Sequence, residues 1–93
     1  MALRVNKIAW TIEAWNDYLE WQTKNKKILA KINQIIQDIM RNGNEGIGQS
    51  EYLKYELSGL WSRRIDKEHR ITYRIEERDS SVVIFSCATH YEK

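Results

Sequence analysis

The segment FSCATHYEK carries an imidazole, His90, and a phenol, Tyr91, just beyond the apolar run Val82-Val83-Ile84-Phe85. That run reads as a buried strand, a rigid arm able to hold a proton donor at a cleft. Histidine ordinarily titrates near ~6.5, so modest surroundings keep it a donor close to neutrality. A second imidazole, His69, falls in a turn, and His90 is preferred to it because it follows a core strand. Among the carboxylates, Glu51 stands where a glycine-rich loop meets an alternating segment; Glu45 and Glu56 satisfy the same reasoning. Cations gather between Lys54 and Arg74, where Lys54, Arg63, Arg64, Lys67, Arg70 and Arg74 face only Glu56, Asp66 and Glu68. A guanidinium grips a phosphate with two parallel hydrogen bonds, so this cluster points to phosphate recognition. The same residues also suit a solvated sheet face with cross-strand ion pairs, and residue types alone do not separate the two uses.

Arginine, histidine, a carboxylate and a tyrosine around a phosphate-sized hollow suit metal-free cleavage of RNA. The ribose 2′-hydroxyl is a built-in nucleophile. A carboxylate takes its proton and a protonated imidazole protonates the departing 5′-oxygen, each transfer being worth about 10²–10⁴-fold. An arginine against the phosphorane oxygens stabilises the charge that develops there.

These groups need a stiff frame, and the hydrophobic pattern supplies one. Val5 to Trp10 reads as a short strand. Thr11 is a helix N-cap with Glu13 in the first turn, and Trp15, Tyr18, Leu19 and Gln22 extend a helix over Ile12 to Thr23. Asn25 caps a second helix, whose stripe is Ile28, Ile32, Ile35, Ile36 and Ile39; Lys27, Lys31, Gln34 and Asp38 fall largely outside it. The short link implies an antiparallel pair. That helix ends near Arg41, and NGNEGIGQS follows as a loop. Leu53, Tyr55 and Leu57 alternate with polar residues as a strand, and Ser58-Gly59 predicts a hairpin turn. Trp61, Arg63 and Ile65 form the next strand, then Ile71, Tyr73 and Ile75, with turns at Asp66 to Glu68 and around Arg78-Asp79-Ser80. The last strand runs from about Ser81 to Thr89. Strict alternation sends Val83, Phe85 and Cys87 toward the helices, and Val82, Ile84, Ser86, Ala88 and His90 to the other side. Side chains shrink along that second side, leaving a hollow edged by His90 and, if the polar faces coincide, by Arg70 and Arg74. The expected fold is α+β: a strand, two antiparallel helices, then a mostly antiparallel sheet built from hairpins, with the helices on one face.

Ninety-three residues predict a single domain over 1–93 with one core. Four Trp and five Tyr supply large contact areas to that small core. The net charge of +2 is only mildly basic, and no DNA-reading motif accompanies it. Cys87, the lone cysteine, rules out an internal disulfide and fits a reducing, cytoplasmic setting; no charge beside it would stabilise a thiolate. No metal site, glycine-rich nucleotide loop, membrane span or apolar signal-peptide core is expected, and no cofactor.

The blocks EAWNDYLEWQ (13–22) and LSGLWSRRIDKEHRITYRI (57–75), with the HY pair at 90–91, closely resemble the YoeB-type toxins of the RelE superfamily, from about Lys7 to Tyr91. The resemblance implies a RelE-like, microbial-ribonuclease-like fold and a toxin that cleaves mRNA in the A site of the 70S ribosome. It also implies neutralisation by a YefM-like antitoxin of the Phd/YefM family, a toxin homodimer, and contact with operator DNA only through the antitoxin complex. By matched position it gives Glu51 as general base, Arg70 as the transition-state arginine, and His90 and Tyr91 as general acid and its neighbour. Lys54 and Arg64, and more weakly Arg63, fall on the RNA-backbone cations. The chain departs from the family pattern at Ala88 and Thr89, which replace a basic and an aromatic residue, at Glu92 and Lys93, and in lacking prolines before Glu51. Two other roles are compatible with the residues: a translation inhibitor that occupies ribosomal RNA without cutting, and a scaffold for DNA autoregulation with a partner.

Overall fold

The computed structural model describes residues 5–88. Strand β1 (Lys7–Trp10) leads into helix α1 (Ile12–Lys24) and helix α2 (Lys26–Asn42). Strands β2 (Glu51–Tyr52), β3 (Trp61–Arg64), β4 (Arg70–Glu76) and β5 (Ser81–Ser86) follow. Short 3-10 turns occupy Tyr55–Leu57 and Glu77–Asp79. The five strands form one sheet in the order β1-β5-β4-β3-β2, in which β1 runs parallel to β5 and the other neighbours are antiparallel. This is the expected α+β arrangement.

Capping residues fix the helix ends. Thr11 is extended (φ −72°, ψ 163°), and its Oγ1 accepts the Ala14 N–H while donating to the Phe85 carbonyl. One side chain thus starts α1 and ties it to β5. Asn25 serves both helices. Its N–H closes α1 on the Trp21 carbonyl, and its Oδ1 accepts from the Lys27 and Ile28 amides at the start of α2. An extended residue between two helices reverses the chain, so the antiparallel pair follows from a single asparagine.

Ile32, Ile35, Ile36 and Ile39 of α2 are buried with Ile71, Tyr73, Val82 and Ile84 of the sheet. Helix α1 contributes Ala14 and Trp21, and the Trp21 indole donates to the Cys87 carbonyl at 2.8 Å. Cys87 is fully buried, as expected, and burial together with the nearby Asp17 carboxylate pushes its thiol up to about 12. A thiol so placed is inert.

Two features of the sheet differ from the alternation rule. On β5 the buried apolar residues are Val82 and Ile84, whereas Val83 and Phe85 are half-buried on the opposite face. A β-bulge is the reason. Tyr73 pairs with Ile84 and Thr72 with Ser86, so Phe85 is an inserted residue. One extra residue inverts the phase of everything beyond it. Cys87 therefore faces the helices although Val83 and Phe85 do not, and Ser86 remains on the open face, as alternation had it.

The second departure is β2. Alternation at Leu53, Tyr55 and Leu57 predicts a strand there, yet β2 is only Glu51–Tyr52 and the chain then turns. Tyr55 is 90% exposed with φ 60°, a left-handed conformation that a strand does not accommodate. Leu53 alone of the three is buried, and its N–H reaches the Leu60 carbonyl across the hairpin.

Candidate active site

The face of the sheet turned away from the helices carries the polar residues of β2, β3 and β4. Register places Glu51 opposite Ser62, Ser62 opposite Thr72, and Thr72 opposite Ser86. These four residues form one row across four strands, with neighbouring strands about 4.8 Å apart. The three hydroxyl residues are buried, and Thr72 Oγ1 and Ser86 Oγ lie 2.6 Å apart. They make a polar floor, with the exposed Glu51 carboxylate at its β2 end.

Two residues along the strands, on the same face, Arg64 lies directly opposite Arg70. Like charges opposed on a ladder repel. Among the described residues neither guanidinium has a carboxylate partner in an ion pair; the pairs formed are Arg63 with Asp38, His69 with Glu68 and Arg74 with Glu76. An anion lying between the two arginines would relieve that repulsion. Arg74, on the same face, is engaged differently: its Nε meets Glu76 Oε2, and its guanidinium lies over the Phe85 ring, 5.3 Å from the centroid.

Lys54 is exposed and caps the 3-10 turn just beyond β2, three residues after Glu51. Glu45 and Glu56 lie in the loop after α2 and in that 3-10 turn, so of the three carboxylates only Glu51 belongs to the hydroxyl row. His69 closes the β3–β4 turn. Its ring meets Trp21 edge-on at 4.9 Å, and its backbone N–H donates to Asp66. Burial disfavours a charged Asp66, but the amides of His69 and Glu68 and the His69 charge outweigh that and hold its carboxyl below the usual range. His90 and Tyr91 lie outside the described residues.

Arg63 departs from expectation. Among the RNA-backbone cations it should contact phosphate, but its side chain is wholly buried on the helix side of β3. Its guanidinium donates to Asp38, to the carbonyls of Gly43 and Ile47 and to the Tyr73 hydroxyl. Alternation explains this: Arg64 and Ser62 take the open face, so Arg63 between them takes the other.

Sequence reasoning passed over Ser62, Thr72 and Ser86 as site residues. Their signal lies in pairing rather than in composition: the residues two before Arg64 and two after Arg70 are Ser62 and Thr72, which face one another once the hairpin closes. Ser86 takes that face in the alternation reading too, but its pairing with Thr72 is set by the bulge.

A family model described as YoeB-like toxin of bacterial type II toxin-antitoxin system matches residues 10–91. The chain is 49% identical over 85 residues to a Toxin YoeB of Escherichia coli, covering 91% of this chain and 99% of that protein. A Toxin YoeB of Synechocystis is likewise 49% identical over 87 residues, covering 94% and 99%. Among solved structures, a YoeB/ParE toxin from Agrobacterium tumefaciens superposes with a TM-score of 0.88 at 37% identity, covering 92% of this chain and 100% of that one. The toxin in a YoeB-YefM complex from Staphylococcus aureus superposes with a TM-score of 0.84 at 45% identity, covering 95% and 99%. Sequence and fold are therefore matched along nearly the whole chain, which belongs to the YoeB-like toxins of bacterial type II toxin-antitoxin systems.

Proposed function

We propose that the open face binds RNA and cleaves it by general acid–base catalysis at an mRNA held in the ribosomal A site. The observation that carries this reading is the opposed Arg64 and Arg70, neither in an ion pair among the described residues, beside a row that ends in Glu51. In the proposed reaction Glu51 takes the proton of the ribose 2′-hydroxyl as the 2′-oxygen bonds to phosphorus. The P–O5′ bond breaks, and His90 protonates the 5′-oxygen. The products are a 2′,3′-cyclic phosphate and a 5′-hydroxyl end. Arg70 holds the non-bridging oxygens as charge builds on them. Arg64 and Lys54 grip neighbouring phosphates, and the hydroxyl floor offers hydrogen bonds without adding charge. The roles of His90 and Tyr91 rest on the family resemblance.

The solved Staphylococcus aureus relatives include a YoeB-YefM complex and a YoeB dimer. They support a YefM-type antitoxin and a second copy of the chain as its partners. Restraint by an antitoxin and action on ribosomes together imply a cytoplasmic site of action.

The test is to map cut sites on a defined message translated by 70S ribosomes, with wild type beside His90→Ala and Arg70→Ala. Wild type should cut the message and leave cyclic-phosphate ends, and both variants should lose cleavage. A blocked but intact message under wild type, with His90→Ala inhibiting equally well, would instead establish inhibition by occupancy alone.

A further inference from the structure

Asp38 and Arg63 lie off the open face, yet they hold the segment that delivers Glu51. Asp38 sits near the end of α2, and Arg63 on β3 points to the helix side. Arg63 Nη1 donates to Asp38 Oδ2 at 2.7 Å and to the Ile47 carbonyl at 2.8 Å; Nη2 donates to the Gly43 carbonyl at 2.6 Å. Asp38 Oδ2 accepts the Ile47 N–H at 3.2 Å, and Oδ1 accepts from the Asn42 amide at 2.8 Å. Two carbonyls and one amide of the loop thus end on a single ion pair. The loop also lies on the β3 backbone, where the Arg64 N–H donates to the Gly48 carbonyl at 2.6 Å. Glycines permit the approach. A Cβ at Gly46 (φ 150°) would fall 1.9 Å from Asp38 Oδ2, and one at Gly48 (φ 86°) would fall 3.0 Å from the Arg64 carbonyl oxygen.

The clamp matters because β2 is so short. It pairs with β3 through Glu51 and Tyr52 alone, and a two-residue edge has little hold on its own register. Gly48, three residues before Glu51, is fixed to β3, and Ile47 is fixed to the ion pair. We infer that the Asp38–Arg63 pair, with its guanidinium buried and its carboxylate at the surface edge, is a latch that positions Glu51, clamping the loop 43–50 so that the carboxylate of Glu51 arrives at the end of the hydroxyl row. This rests on the reading of Glu51 as general base. Both are positioning residues, since neither touches the RNA.

The test uses the purified full chain and 70S ribosomes programmed with a defined short message. Single-turnover cleavage is measured at several toxin concentrations for Asp38→Asn and for the double variant Asp38→Leu/Arg63→Met, each in wild-type and Glu51→Gln backgrounds. The first variant removes the pair's negative charge at constant size; the second replaces both partners with apolar side chains, so that no charge is left unpaired beside the buried position of Arg63. Misplacing a base should lower the maximal rate about 10–100-fold in each. The half-saturating concentration should stay within about twofold of wild type, as for loss of an interaction made only in the transition state. In the Glu51→Gln background the same changes should cost less than about twofold, because no base remains to misplace. A full loss persisting in that background would overturn the latch while leaving the base assignment intact, as would wild-type rates in either folded latch variant. Wild-type cleavage by Glu51→Gln itself would remove the base assignment and the latch with it. Should both latch variants fail to fold by circular dichroism, the pair is a folding requirement and the inference is lost.

Discussion

At the scale of single residues, Arg64 and Arg70 show how function and stability pull apart. The two residues pair across β3 and β4, and neither forms an ion pair with a carboxylate among the described residues. Removing one should relieve repulsion, so Arg64→Ala is expected to leave stability unchanged or raise it by roughly 0.2–1 kcal/mol. The same variant should weaken RNA engagement, raising the half-saturating ribosome concentration more than it lowers the maximal rate. Urea unfolding beside a cleavage titration reads both effects, and a destabilised Arg64→Ala would refute the repulsion argument. Arg70→Ala is different in kind: if Arg70 holds the phosphorane oxygens, its loss should cost on the order of 10²–10³ in single-turnover rate at saturating ribosome. Residue types alone left Arg63 and Arg64 equivalent. They are adjacent, equally basic, and sent to opposite faces by the pleat, which no property of arginine reveals.

At the scale of elements, the helices and the phases of β3 and β4 were legible, whereas the phase of β5 and the length of β2 were not. Thr11, Asn25 and the isoleucine stripe act through local geometry: a cap bonds to residues two or three away, and a stripe repeats every turn. The first helix accordingly spans Ile12–Lys24, one residue longer than read. The phase of β5, by contrast, depends on a partner. The bulge at Phe85 exists because β4 and β5 meet with one residue in excess, which β5 alone does not show. Thr11 links the two kinds of element, capping α1 and bonding the carbonyl of the bulged residue. Thr11→Ala should therefore cost about 1–2 kcal/mol, the upper range for a lost N-cap. A thermal or urea midpoint unchanged from wild type would show that neither bond contributes. Ile35→Ala, deep in the stripe at 0% exposure, should cost about 2–5 kcal/mol through the cavity it leaves.

At the scale of the whole molecule, the Asp38–Arg63 pair joins α2, the following loop and β3. Burial opposes ionisation of Asp38. The hydrogen bonds from Arg63, Asn42 and the Ile47 amide, with the Arg63 charge, outweigh it and hold the carboxyl below its ordinary range. A carboxyl depressed in the folded state stabilises the fold above its unfolded value, and that contribution is lost as pH falls through the folded value. Wild type should thus exceed Asp38→Asn by roughly 1–3 kcal/mol near neutrality, since the variant strands a buried guanidinium. The gap should close as pH falls below the ordinary aspartate range, about 3.9. Denaturant unfolding of both proteins from neutral to acid pH checks this, and a gap constant across that range would show that Asp38 is not the group titrating.

By itself the sequence determined the secondary elements whose signals are local: the capped helix pair, the loop after it and the hairpin turn at Asp66. Through the resemblance of LSGLWSRRIDKEHRITYRI and its companions it also determined the family. Tertiary structure decided what depends on pairing across the sheet: the length of β2, the phase of β5 and the hydroxyl row. The physical reason is range. A helix satisfies its backbone within four residues, so its sequence carries its own geometry. A strand takes its face and register from a neighbour, and here Thr72 and Ser86 meet across fourteen positions of chain only when the fold brings them together.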